Sequence, residues 1–211
     1  MKEVHPLDDG RCIRTELIET TRRLHQRRWC DGTGGNFSVV LQREPRRLLM
    51  APSGVDKGRL EVDDLIVVNE SQEIVEGNGR VSAETALHLA VVRETGAGAV
   101  LHSHSIAATV LSRAHRQIGH VTLEGWEMQK GLEGVNTHAT RINIPVVGNS
   151  QSMEVLEDAF LPHLPTQSHG ILVAGHGLYA WGTTLADAER HLEILEFLLD
   201  VQLNVTRSQQ P

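Results

Sequence analysis

The sequence predicts an α/β layered domain. Two observations carry this: short apolar runs that each end in small or polar residues, and intervening stretches whose apolar residues recur at helical spacing. At 211 residues the chain can bury one good core, and nothing in its composition calls for a second. Residues 1–211 are therefore read as a single domain.

Met1 to Gly10 reads as a loose leader ending in Asp8-Asp9-Gly10. Ile13, Leu17, Thr21 and Leu24 then share one helical face, so Cys12 to Trp29 is expected to be an amphipathic helix. Its other face carries Arg14, Arg22, Arg23, Arg27 and Arg28. Such a face suits nucleic acid or an acidic partner, but a solvated or intersubunit salt-bridged face is the commoner use. Asp31 to Ser38 is a glycine-rich turn opening into a strand from Phe37 to Leu41; it can cradle an anion or be merely a turn. Leu48 to Met50 is a second strand, running into Ala51-Pro52-Ser53-Gly54. Leu65 to Val68 and Ile74 to Val75 make a hairpin around Asn69 to Glu73.

Ser82 is placed to cap a helix from Ala83 to about Glu94, which puts Glu84 in its first turn. There Glu84 either complements the helix dipole or projects toward the next strand. That strand, Ala99 to Leu101, opens into His102-Ser103-His104. Side chains two apart leave the same face of an extended chain, so both imidazoles can aim at one point, as a divalent transition metal requires. His176 follows a comparable apolar run, Ile171 to Val173, between two glycines, and is the candidate third ligand. With 12 histidines in the chain a chance pair is not improbable; the joint occurrence at strand ends is what strengthens the metal reading.

Ile106 to Arg113 is expected to be helical and Ile118 to Leu123 extended. Glu124 to Leu132 is either a surface segment or the carrier of an acid/base, Glu127, with Lys130 nearby. Ile142 to Val147 is a strand, Met153 to Leu164 a helix interrupted near Pro162, and Gly177 to Trp181 the partner of the strand that delivers His176. A last helix starts at Thr184, with Asp187 completing a capping box. Leu185, Ala188, Leu192, Leu195 and Leu199 face its core, Glu189, Glu193 and Glu196 face out, and Asn204 to Pro211 is a frayed tail.

Composition narrows the function classes. The net charge of -7 argues against nucleic acid or anionic membranes as partners, and 3% aromatic content against base-stacking platforms. No apolar run approaches the roughly 20 residues that cross a bilayer. Two cysteines without CxxC spacing and no secretory leader point to a reducing cytoplasm.

The ordered set Gly34-Gly35-Asn36, Ser53-Gly54, Ser82-Ala83-Glu84, His102-Ser103-His104 and Gly175-His176-Gly177 resembles the class II aldolase/adducin-like family of zinc enzymes. The resemblance runs from about Trp29 to Leu199. It implies a three-layer α/β/α domain with a mostly antiparallel central sheet, assembled as a homotetramer. It also implies one Zn2+ per subunit on His102, His104 and His176, and a phosphate held by turns near Gly35, Asn36, Ser53, Gly54 and Ser82. The blocks Gly32 to Ser38, Ala51 to Lys57 and Glu127 to Gly131 look like those of the family's dehydratases that act on a small phosphorylated ketose in methionine salvage. In those enzymes the glutamate matching Glu127 is the catalytic acid/base; Lys130 is a further candidate contact to phosphate or intermediate. The family's aldolases weight the glutamate matching Glu84 and tyrosines, whereas Tyr179 is the one tyrosine here. A sugar-phosphate aldolase or epimerase is the alternative, and a non-enzymatic adducin-like binding domain a more distant one.

Overall fold

The computed structural model describes residues 6–164 and 169–208. Its strands are β1 (Asn36–Arg43), β2 (Arg46–Met50), β3 (Ile66–Asn69), β4 (Ile74–Glu76), β5 (Ala99–Ser103), β6 (His120–Leu123), β7 (Ile142–Val147), β8 (Gly170–Val173) and β9 (Gly177–Gly182). They form one sheet in the order β4-β3-β2-β1-β5-β9-β8-β7-β6. Among the described residues only β7 and β8 pair in parallel. The helices are α1 (Pro6–Gln26), α2 (Thr85–Thr95), α3 (Ile106–Ala114), α4 (Met153–Phe160) and α5 (Leu185–Ser208).

Side-chain alternation along the strands separates two cores. Leu101, Leu178 and Ala180 pack with Leu17, Leu111, Leu192 and Leu195, so α1, α3 and α5 cover one face. Val100, Tyr179 and Trp181 pack with Leu87, Val91, Leu156 and Phe160, so α2 and α4 cover the other. This is the expected three-layer α/β/α arrangement. All five residues of β5 are buried, and each large apolar side chain so enclosed contributes on the order of 2 kcal/mol.

Several expectations need correction. The segment read as a loose leader is helical from Pro6, as far as it is described; Met1 to His5 lie outside the described residues. The helix ends at Gln26 rather than Trp29, and Arg28 takes a left-handed φ of 62°. Ser82 does not cap α2. It opens a turn in which its carbonyl accepts from Thr85 N at 3.1 Å and its hydroxyl from Glu84 N at 3.3 Å, so the helix begins two residues later than expected. At the other end α5 runs to Ser208, so the tail from Asn204 is helical as far as it is described.

Glu196 is the largest departure. Expected to face out, it is 2% exposed. It stands four residues after Leu192 and three before Leu199, on the same helical face, and two serine hydroxyls of the β5 end meet its carboxylate. The basic face of α1 is satisfied within the chain: Arg14 pairs with Glu76, Arg23 with Glu189 and Arg27 with Glu193 at 2.6–2.7 Å.

Candidate metal centre

β5 lies between β1 and β9, and the antiparallel registers set Asn36 and Tyr179 opposite His102. Because β9 begins where β5 ends, Gly177 abuts Ser103, and His176, one residue earlier, arrives beside His104. A Cβ on Gly177 would lie 2.0 Å from the Ser103 carbonyl oxygen, so only glycine allows the two chains to close this far.

The three imidazoles converge through their Nε2 atoms. His104 Nε2 is 2.8 Å from His102 Nε2, which is 3.3 Å from His176 Nε2. His102 Nδ1 stands 3.0 Å from the Leu178 carbonyl. It can only donate there, which leaves the Nε2 lone pair directed into the cluster. Burial, and then the neighbouring His104 and His176, hold His102 well below the usual imidazole range. Burial, His176 and the Lys57 ammonium push His104 down to about 4. Neutral imidazoles with converging lone pairs repel one another unless a cation lies between them, so this donor set fits a divalent transition metal.

Glu84 completes the group. Its Oε1 is 3.2 Å from His176 Nε2 and 3.8 Å from His102 Nε2, and Asn36 donates to its Oε2. The turn opened by Ser82 is what aims it, so of its two expected roles the carboxylate takes the one toward the histidines. His102 stacks on Tyr179, with ring centroids 3.8 Å apart and an interplanar angle of 11°. Burial and the Glu84 charge raise the Tyr179 phenol well above its ordinary value.

Beside His176 opens a cavity of about 440 Å3, lined by Ser53, Ser82, Glu84, Asn149, Ser150 and Gln151 among others. Ser53 and Ser82 are thus brought together. Arg80 reaches Ser53 Oγ at 3.4 Å and lies 3.2 Å from where a Gly54 side chain would begin. Gly34 and Gly35 leave room for the histidines: a Cβ on Gly34 would come 2.9 Å from His104 Nδ1, and one on Gly35 3.0 Å from the His102 carbonyl.

Glu127 and Lys130 stand apart from this group. Both lie on a single 3-10 turn, Glu127–Gly131, packed against α5. The Glu127 side chain is 72% exposed and pairs with Lys130 Nζ at 2.6 Å and His138 Nδ1 at 3.7 Å. Lys130 is the main reason that its carboxyl is lowered.

Two cations have settings that the sequence does not mark. Arg80 carries no motif of its own. Lys57 is 1% exposed, donates to the Thr33 and Val55 carbonyls at 3.3 and 3.2 Å, and is lowered by burial. A lysine between two glycine-bearing turns was its only signal.

Residues 15–203 match the family described as Class II Aldolase and Adducin N-terminal domain. The chain belongs to that family. Among its relatives, methylthioribulose-1-phosphate dehydratase of Sorangium cellulosum is 44% identical over 196 residues, covering 90% of this chain and 91% of that one. The enzyme of the same name from a Bradyrhizobium strain is 42% identical and covers 90% of each chain. In three dimensions, L-fuculose-1-phosphate aldolase from Thermus thermophilus superposes with a TM-score of 0.73 at 27% identity, covering 94% and 98% of the two chains. A sugar-phosphate aldolase from Thermotoga maritima, 19% identical, shares the fold at a TM-score of 0.69, covering 96% and 98%. Class II aldolases are typically metal-dependent, and His102, His104 and His176 form a candidate metal-binding group. No described helix is long and apolar enough to cross a membrane.

Proposed function

We propose that this protein is a zinc-dependent hydro-lyase that converts 5-methylthioribulose 1-phosphate into 2,3-diketo-5-methylthiopentyl 1-phosphate. The observation that carries the reading is the end-to-end similarity, at 42–44% identity, to dehydratases of that name. The reading treats the chain as one domain working in a homotetramer in the cytoplasm.

His102, His104 and His176 would hold one zinc ion, which supplies Lewis-acid polarisation of the substrate's carbonyl and neighbouring hydroxyl oxygens. Glu84, held by Asn36, adds a negative charge next to the three neutral imidazoles. The phosphate is taken up in the cavity beside His176, where Ser53 and Ser82 offer hydroxyls and Arg80 a guanidinium. Backbone amides near Gly35 and Gly54 are further donors in this scheme, as is the Lys130 ammonium, which like Glu127 would come from a neighbouring subunit. Holding the phosphate fixes C3 and C4 relative to the proton-transfer group, which is how remote binding energy assists the chemistry. Glu127 stands apart from the histidines of its own subunit, so in this scheme it acts from a neighbouring subunit of the tetramer: ionised through its pairing with Lys130, it takes the C3 proton and returns a proton to the departing C4 hydroxyl, which leaves as water. The enol so formed tautomerises to the diketone.

An aldolase reading draws on the Thermus thermophilus likeness and on Glu84 facing the histidines. Tyr179 weakens it, since its phenol is buried and raised rather than free to donate a proton. The deciding experiment measures bound zinc and diketone formation for wild type and His104→Ala. One zinc per chain with diketone formed, both lost in the variant, supports the proposal. Zinc with release of dihydroxyacetone phosphate and no diketone identifies the aldolase, and a folded chain that holds no zinc returns the binding-domain reading.

A further inference from the structure

A second group of donors lies away from the first, where the loop after the Glu127 turn meets the start of β8 and the first half of α5. Glu133, His169 and His191 each present one ligand atom, all within 4.8 Å of one another. His191 is fully buried and its Nδ1 is 2.8 Å from the Trp181 carbonyl. The carbonyl can only accept, so Nδ1 carries the proton and Nε2 the lone pair. Nε2 is itself buried and has no hydrogen-bond partner among the described residues. An acceptor left in this state has lost its water without gaining a partner, which is unfavourable unless a ligand fills the place.

The arrangement repeats features of the first site. There His102 directs Nε2 inward by spending Nδ1 on the Leu178 carbonyl; here His191 does so through Trp181, on the same strand β9. His169 stacks on His191 with centroids 4.2 Å apart at 27°, and is held there by a left-handed φ of 51° while its carbonyl accepts from Trp181 N at 3.2 Å. Burial, followed by the nearby His169, lowers His191, which keeps its lone pair available near neutrality. Glu133 supplies the anionic oxygen from an exposed loop position that can close on an ion.

We propose that Glu133, His169 and His191 form a second, structural site for a divalent transition metal of the zinc class. Two imidazoles and one carboxylate are a donor set for such an ion, with a fourth position left to water. The site would tie the loop after the Glu127 turn to α5, against which the turn already packs through Gly131 and Ile194.

Zn2+ titrated into metal-stripped full-length protein, followed by calorimetry and elemental analysis, tests this directly. Wild type is expected to bind two equivalents per chain. Glu133→Gln and His169→Ala, both outside the buried core, are expected to keep one equivalent and weaken the other at least tenfold. His104→Ala is expected to lose the complementary equivalent and still gain thermal stability from added Zn2+, a gain abolished by adding His169→Ala. A single equivalent in wild type that His104→Ala abolishes, or a second that survives both Glu133→Gln and His169→Ala, overturns the proposal. Loss of the first site alone shows up in His104→Ala, so failure of the two sites is distinguishable.

Discussion

Ser105 donates its hydroxyl hydrogen to the Glu196 carboxylate, joining the segment that carries His104 to the last helix. Ser103 donates to the other carboxylate oxygen, so Glu196 straddles His104 from behind the sheet. Burial raises the Glu196 carboxyl to about 7 even though both hydroxyl bonds act to lower it. A carboxyl raised on folding stabilises the protein below its unfolded value, near 4.5, and that contribution is lost as pH rises through about 7. The change is worth about 3 kcal/mol. Glu196→Gln, which keeps the shape but does not titrate, is therefore expected to gain about that much on wild type between pH 4.5 and 7.5. Denaturant unfolding across this range measures it; a pH-independent difference between the two proteins would show that Glu196 does not titrate there.

Gly34 touches the site through space it leaves empty. Its Cβ would stand 2.9 Å from His104 Nδ1 and 3.2 Å from the Asp31 carbonyl, both too close for an unadjusted fit. Gly34→Ala is thus expected to push the His104 ring and weaken zinc binding by about tenfold, the scale of lost ligand support. Competition with a chelator reads the affinity, and unchanged retention would mean that the ring moves freely.

Glu127 offers a cleaner separation of stability from chemistry. Exposed and paired only at the surface, it contributes little to the fold, and exposed ion pairs are weak in general. Glu127→Gln is expected to lower kcat by about 10²–10⁴, as removal of a general acid/base does, with melting temperature and zinc content unchanged. Near wild-type dehydration would remove Glu127 from the mechanism.

The three histidines were legible because period-two alternation and strand-end glycines are local features, and the structure joins strands that each carry part of the pattern. The layered order followed for the same reason: each strand and helix announces itself within a few residues. What the sequence hid depends on distant partners. Glu196 looks like any solvent-facing glutamate until Ser103 and Ser105, more than 90 positions earlier, are brought against it. Lys57 and Arg80 have no periodicity to mark them, and their settings arise from turns that meet only in three dimensions. Ser82 reads as a cap because a polar residue before an apolar run signals a helix start without fixing it to better than a turn. The shift has chemical weight, since that turn is what brings Glu84 to the histidines.

Arg80 is exposed, reaches Ser53 Oγ at 3.4 Å, and its carbonyl accepts from Ser53 N at 2.8 Å. The backbone contact fixes the start of its side chain, while the guanidinium stays free to turn toward an anion. If it binds the phosphate in the ground state and the transition state alike, its removal raises KM and leaves kcat nearly constant. Arg80→Ala is accordingly expected to raise KM about tenfold, the size of one charge-assisted hydrogen bond, with kcat within about threefold of wild type. Steady-state kinetics give both numbers. A fall in kcat at constant KM would instead assign Arg80 to the reacting end of the substrate, and no change in either would remove it from the phosphate site.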